Sequence, residues 1–440
     1  MENRNPNLSS EYGYGLKVWF NGIRFEELCT IKNFAIDTII GGRVPMLYMS
    51  VLTSDLNAAH LIMSETTSVY LEISGTNEEG KEDSKDKYCF FVSESHMKGF
   101  LGGISIDIVG LADLSGKVSL LGTPVKVNKE NDTYKYIKML FDEDGSKYRK
   151  GYQGMVMFGN EPEGFGKESK INILDMLSSK SSDNMVRNFS GVSKLEAINE
   201  VISSSKIDGE KTIGHFFAHN RKTGVLELTL FDLEFRCQRF QPKTFKYQGH
   251  QKRQEVGYKS DDGVPFETIE LEKKSSAYTS TYWDRGVESY ANDEVIRFVE
   301  KNEVESMFSD GMPYPKKDVK LGKGEVKEFP LFRSGLTLKR TLEPTVKETD
   351  RKISSGRANH MKMTKALQKI NVMAGLKGLV QVDIGDIWIV KFPDYTKELN
   401  SREVDKLFSG RYMVTRVIVE YQKDFFKTTV IFSRDSYVKG

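Results

Sequence analysis

VDIGDIWIVKFP (382–393), followed after a polar loop by GRYMVTRVIVEYQKDFFKTTVIFSRDS (410–436), decides the fold of this chain. The two stretches read as three strands that close one small β-unit. In the last of them Phe426, Thr428, Val430 and Phe432 fall on one face and Lys427, Thr429, Ile431 and Ser433 on the other, the period of two expected of a half-buried strand. Nothing in the unit has the composition of a catalytic site. Its parts come in a distinctive order. Gly385-Asp386 leads into an apolar strand; a long loop, a Gly410-Arg411-Tyr412 strand and a hairpin follow; the last strand runs out into Arg434-Asp435-Ser436, where Arg434 and Asp435 are placed to staple the unit.

Working outward, 440 residues exceed one ordinary core and imply about two to four domains. With 38% hydrophobic, 29% charged and 11% aromatic residues, the composition is that of a folded soluble protein rather than a disordered chain. Lys plus Arg, 64, against Asp plus Glu, 62, leaves a formal charge of +2, which supplies no global field for gathering nucleic acid or an anionic membrane. Cys29, Cys89 and Cys237 are odd in number, far apart and without a C-x-x-C pair, so neither a disulfide framework nor a zinc knuckle is indicated. Folding in a reducing cytoplasm is the simplest reading. MENRNPNLSSEYGYG (1–15) lacks the basic start and apolar core of a signal peptide, and no stretch reaches the roughly 20 apolar residues that span a bilayer.

The N-terminal arm (1–15) precedes a region, 16–127, of short apolar runs separated by turn signals: GLKVWF, IKNFAIDTII, VYLEISG, YCFFVSE and ISIDIVG. It reads as a first β-barrel module, with EEGKEDSKDK (78–87) a solvated hairpin loop and VLTSDLNAAHLIM (51–63) able to form a short helix. Helical periods dominate 128–222, in YKYIKMLF (134–141), KINILDMLSS (170–179) and SKLEAINEVISSS (193–205), giving a mixed α/β domain. In the last of these Ser193 and Glu196 have capping-box spacing, and Leu195, Ile198, Val201 and Ile202 form one face. TIGHFFAH and VLELTLFDLEF, joined by NRKTG, predict a hairpin turning at Gly224. Residues 223–243 and 371–440 make a second β-barrel module, interrupted by a charged insertion with a connecting helix (244–370). Within the insertion, SYANDEVIRFVEKNEVESMF (289–308) has helical spacing through Val295, Phe298, Val299 and Val304. The rest of 244–352 reads as extended arms or long loops, and a capped helix over 354–370 carries Met361, Met363, Ala366, Leu367 and Ile370. The fold class is α+β, mostly β: two small antiparallel β-barrel modules, an intervening mixed α/β domain and a long insertion.

Candidate chemistry is sparse. His215 and His219 lie four apart in an expected strand, where that spacing spans about 13 Å and separates the rings too far to share one ion. Asp142, Asp144 and Gly145 have the start of a calcium loop but lack its downstream ligands, so a turn is expected. GFGKES (164–169) has Glu161 where a phosphate loop needs its leading Gly and no Ser or Thr directly after Lys167; a surface loop is expected instead. The basic clusters KRQ (252–254) and PKK (315–317) alternate with acids and read as solvated faces. No catalytic, cofactor-binding or metal-binding residue is assigned, and no cofactor is expected.

On two passages, the helix and hairpin over 193–233 and the helix plus β-unit over 354–436, the chain resembles the baseplate central hub proteins of contractile-tailed bacteriophages, relatives of the hub portion of type VI secretion spike proteins. The resemblance extends loosely over 16–436. It implies a structural, non-enzymatic homotrimer in which each chain gives two similar barrels, so that six barrels form a ring joining the hexameric tail tube to the trimeric cell-puncturing spike. It also implies a tape-measure protein and baseplate wedge proteins as partners, DNA only in transit through the channel, no stable membrane association, and a place in the virion tail baseplate after assembly in the host cytoplasm. The rival readings are a tail-associated peptidoglycan hydrolase and the hub of a type VI secretion-like injection machine.

Overall fold

In the computed structural model the described residues are 14–64, 67–76, 82–100, 102–112, 125–126, 132–142, 161–166, 172–182, 188–189, 192–207, 211–238, 255–257, 264–273, 281–284, 294–300, 306–312, 316–320, 326–330, 336–341, 360, 364, 367–380, 382–394, 404–422 and 425–438. The first β-run, YGLKVWF, alternates buried and half-buried side chains along its length, as its period of two requires. It forms β1 (Tyr14–Phe20), which turns through Asn21 and Gly22, both at positive φ, into β2 (Ile23–Arg24). Next come β3 (Thr30–Ile39), β4 (Met46–Thr53), helix α1 (Leu56–Ile62), β5 (Ser68–Thr76), β6 (Glu82–Phe100) and β7 (Gly103–Leu111). They lie in the order β2-β1-β5-β6-β7-β4-β3, with every neighbour antiparallel. Of the expected 51–63 helix, only the second half is helical. The chain stays extended to Thr53, and Asp55 then caps α1 by accepting the Asn57 N–H at 2.8 Å. The loop expected over 78–87 is also corrected: from Glu82 onward the chain is strand, and Asp86 is buried.

The connecting region holds β8 (Val125–Lys126), α2 (Thr133–Asp142), β9 (Asn172–Met176), β10 (Ser181–Ser182), β11 (Asn188–Phe189), α3 (Lys194–Ser204), β12 (Lys206–Ile207), β13 (Ile213–His219), β14 (Leu226–Asp232) and α4 (Leu233–Gln238). Helix α3 carries the predicted capping box, and Ile198, Val201 and Ile202 are fully buried. The hairpin β13–β14 turns at Gly224, whose φ of +75° suits glycine. The helix expected over 170–179 is instead strand β9, parallel to β14, because pairing along β14 outweighs a weak local preference. The strand expected through Phe235 ends at Asp232, whose carboxylate accepts the Phe235 N–H at 2.8 Å and caps α4.

The remaining strands are β15 (Glu255–Gly257), β16 (Val264–Lys273), β17 (Thr281–Asp284), β18 (Glu294–Glu300), β19 (Gly311–Met312), β20 (Lys316–Lys320), β21 (Val326–Pro330), β22 (Leu336–Thr341), β23 (Ile370–Lys377), β24 (Ile387–Val390), β25 (Gly410–Gln422), β26 (Phe425–Arg434) and β27 (Tyr437–Val438). The helix expected over 289–308 is corrected: Val295, Phe298 and Val299 lie in β18, between β17 and β22. In the 354–370 stretch His360, Thr364 and Leu367 are helical and Thr364 bonds back to the His360 carbonyl, whereas Ile370 already belongs to β23; Ser354, Met361, Met363 and Ala366 lie outside the described residues. β15 and β16, from within the expected insertion, join the sheet of the second module, while β14 belongs to the connecting three-stranded sheet β13-β14-β9. In the second module β25, β24, β15, β16, β23 and β26 are paired in sequence, and β26 pairs back onto β25, so the ring is closed. Trp388, Val430 and Phe432 are fully buried in its core.

The two modules share one topology. In chain order β3, β4, β5, β6, β7 lie side by side as β3-β4-β7-β6-β5, and β16, β23, β24, β25, β26 lie as β16-β23-β26-β25-β24. Both outer strands carry an early bulge, at Lys32 and at Glu267, and both long strands carry one in mid-course, at Ser93 and at Thr415. Counted from those bulges the rows coincide: Phe34–Met49–Ile108–Ser95 in the first module, Ile269–Ala374–Val430–Val417 in the second. The first remains a curled open sheet, since beyond β5 it continues into β1 and β2.

Candidate functional site: the seam between the two modules

A strand has two edges, and β25 divides one of them between two partners. Its first residues, Gly410–Met413, pair with β24; after the bulge at Thr415 the same edge pairs Arg416–Gln422 with Ile39–Asn33 of β3. The bulge twists the strand away from β24 and releases the edge. This β3–β25 ladder makes the two modules one 13-stranded sheet. Phe34 stacks on Tyr421 at 5.3 Å, Phe426 packs on both rings, and Ile36 and Val419 are opposed and buried.

Asp37 is the single acid in the apolar run NFAIDTII, and its side chain is 3% exposed. A buried carboxylate requires cationic partners. Arg416 supplies a bidentate pair, Nε to Oδ1 at 2.8 Å and Nη2 to Oδ2 at 2.9 Å, and Arg43 adds a further contact to Oδ2. Hydrogen bonding to Asp37 in turn holds the Arg416 guanidinium above its ordinary pKa.

Beside the seam, the β13-β14-β9 sheet encloses a cavity of about 230 Å³ against β3 and β25. Arg221, on the β13–β14 turn, reaches across it. Its Nη2 donates to the Val382 carbonyl and to Asp383 Oδ1, each at 2.8 Å, and its Nη1 lies 3.9 Å from Asp86 on β6. One arginine thus ties the connecting sheet to both modules. Arg236 on α4 makes a parallel contact, 3.2 Å to Asp386. Burial raises the pKa of Asp86, Arg221 opposes that shift, and Asp383 adds to it. Gly385, at φ +79°, lets the loop pass under the Phe216 ring, where a β-carbon would come within 3.3 Å.

The histidines are separate groups, His215 buried and His219 half-buried at the cavity wall. His215 Nε2 is 2.9 Å from Asn199 Oδ1, and His219 Nε2 is 3.0 Å from the Cys89 carbonyl. Burial lowers His215 to about 3, with His360 adding to the shift, and lowers His219 to about 4 against the opposing Cys89 contact. Asp144, Gly145, Lys167 and 252–254 lie outside the described residues, Asp142 ends α2, and Lys316 and Lys317 open β20. The described part of GFGKES, residues 164–166, is anchored: Phe165 is buried between Trp19 and Tyr70, and the Gly166 N–H donates to the Thr223 carbonyl at 2.8 Å. Arg434 and Asp435 do staple, and what they hold is the 306–312 segment. Asp435 accepts from Ser306 Oγ and the Met307 N–H, each at 2.7 Å, and buried Arg434 lies over the Phe308 and Tyr412 rings.

Sequence reasoning singled out none of Asp37, Arg416, Arg221 or Arg236. The one available signal was a lone acid or base within an apolar strand, as in NFAIDTII and MVTRVIV. Among the described residues no group of three His, Cys, Asp or Glu side chains is placed to hold a metal ion, and no helix is long and apolar enough to cross a membrane.

No model of a known protein family and no curated protein matches the sequence. Solved structures do match over most of the chain. Tail proteins are among them. A tail protein from Neisseria meningitidis MC58 has 9% identity over 97% of this chain and 98% of its own, with a TM-score of 0.49. The 43 kDa tail protein of prophage MuSo2 from Shewanella oneidensis has 7% identity over 96% and 99%, with a TM-score of 0.47. An Escherichia coli component of the type VI secretion system, described as structurally similar to the T4 bacteriophage tail proteins gp27 and gp5, has 7% identity over 93% and 74%, with a TM-score of 0.45.

Proposed function

We propose that this chain is a structural baseplate hub of a phage tail. It acts as a homotrimeric adaptor between a hexameric tail tube and a trimeric cell-puncturing spike, and contributes to the channel through which genome and tape-measure protein pass. The observation that carries this reading is the duplication of one five-strand topology within a single chain, with matched bulges and matched rows. A trimer can offer a quasi-sixfold surface to a hexameric tube only if each subunit carries two equivalent modules. The sequence resemblance over 193–233 and 354–436 supplies the setting, in which wedge proteins are further partners, assembly occurs in the host cytoplasm and the tail baseplate is the final location. The role is non-enzymatic: of the acids that line the cavity, Asp86 and Asp383 face Arg221 as structural counter-ions, and Glu227 accepts from the Asn172 and Asn220 side chains.

Native mass measurement of the purified chain, alone and with its spike, tests the reading. A trimer is expected in at least one condition. A stable monomer in both, or a closed ring of any other number, overturns it.

A further inference from the structure

The duplicated topology leaves two strand edges without a partner among the described residues. β25 gives the second half of its edge to β3, but β6, its counterpart, pairs with β5 only as far as Phe91, and beyond the bulge at Ser93 the edge Glu94–Phe100 has β7 on one side and nothing on the other. Likewise β3 uses its outer edge for β25, whereas β16, its counterpart, pairs outward with β15 only at Val264 and Pro265, and Thr268–Leu271 has no further strand beside it among the described residues. Each chain therefore carries one unfilled copy of each half of its own internal seam. Exposed edges of this length recruit another strand unless they are filled.

We propose that β6 of one copy pairs antiparallel with β16 of a second copy, repeating between chains the β3–β25 seam found within one. This rests on the trimer reading, and it supplies the contact that closes the ring. The register follows from the bulges. Val419 opposite Ile36 becomes Met97 opposite Leu271; Glu420 opposite Ala35 becomes Lys98 opposite Glu270; Ile418 opposite Asp37 becomes His96 opposite Glu272. The side chains suit this alignment. Met97 and Leu271, 41% and 42% exposed, are large apolar groups left in water at the positions where the internal seam buries Val419 and Ile36. Lys98 meets an acid, and His96 meets another. A one-residue slip would place Lys98 opposite Ile269 or Leu271 and move Met97 away from its apolar partner. Because the two edges differ, the contact is head-to-tail, and such contacts generate rings when the rotation closes.

The test is a cysteine pair in the full chain. Met97→Cys with Leu271→Cys, oxidised at assembly concentration, is expected to give covalent species up to three chain masses in denaturing electrophoresis, while either single variant stays at one. In parallel, Lys98→Glu is expected to raise the concentration needed for assembly by about tenfold, and adding Glu270→Lys to restore it. A trimer of unmodified protein that neither cross-links through this pair nor responds to the charge reversal overturns the register and leaves the trimer standing. A protein that is monomeric with and without its spike overturns both. Cross-linking confined to a single chain, or produced by one cysteine alone, also overturns the proposal.

Discussion

The two β-modules use the same five strands in the same spatial order, yet one is contiguous and the other scattered. The first runs from Thr30 to Leu111; the second begins at β16, leaves at Lys273, returns at Ile370 and ends at Arg434. The insertion thus sits where the first module has only the short β3–β4 connection. The second module is also closed by β15, while the first stays open. The comparison teaches that topology, bulges and row register can be kept while connection length and closure change freely, because loop length costs only logarithmically whereas register sets which side chains meet in the core.

The harshest way to break the equivalence is a charge in matched rows. Val430→Asp and Ile108→Asp each place a carboxylate at a site that is at most 1% exposed, costing several kcal/mol, roughly 3–5. Both variants are expected to be insoluble or to unfold in one transition. A calorimetric trace in which one module melts and the other persists at its original temperature would show that the β3–β25 ladder does not couple them.

Next in size is the seam itself. Arg416→Ala leaves buried Asp37 with Arg43 alone and is expected to lower stability by about 2 kcal/mol. An unchanged denaturation midpoint would show that Arg43 suffices.

A smaller effect distinguishes the connecting sheet from both modules. His215 and His219 have folded pKa values depressed to about 3 and about 4 by burial, so the unfolded chain binds protons first as pH falls below about 6.5. Their contribution is complete above that value and is lost progressively down to about pH 4 for His219 and about pH 3 for His215, with a slope approaching about 1.4 kcal/mol per pH unit for each histidine. Asp86, whose folded pKa is raised, acts in the opposite direction. Melting temperatures recorded between pH 7 and 4.5 should fall, and a His219→Gln variant should fall less steeply. A parallel profile for that variant would remove His219 from the account.

The smallest expected change is at the α3 cap, where Ser193→Ala removes the acceptor for the Glu196 N–H and should cost about 1 kcal/mol, measurable as a shift in the urea midpoint with unchanged slope.

Elements whose signal is local were legible in the sequence. β26 alternates exposed and buried side chains from Phe425 to Thr428 before both its faces become largely buried, α3 carries its cap three residues from its reciprocal Glu, and the β13–β14 turn announces itself by Gly224. Each depends on residues within a few positions of one another. β9 and β18 were read as helices because their short apolar runs satisfy either period, and the arbiter was the neighbouring strand: β14 for one, β17 and β22 for the other.

The seam was illegible for a stronger reason. Asp37 and Arg416 are 379 residues apart, and Arg221 meets Asp383 across 162. By itself the sequence determined a mostly β chain with two strand-rich regions and a capped helix, because side-chain periodicity and capping are written into neighbouring positions. Only the tertiary structure decided which strands share an edge, where the insertion leaves the barrel and which buried acid each arginine neutralises. Pairing partners are chosen by what lies opposite in space, and a linear pattern does not encode that choice at such separations.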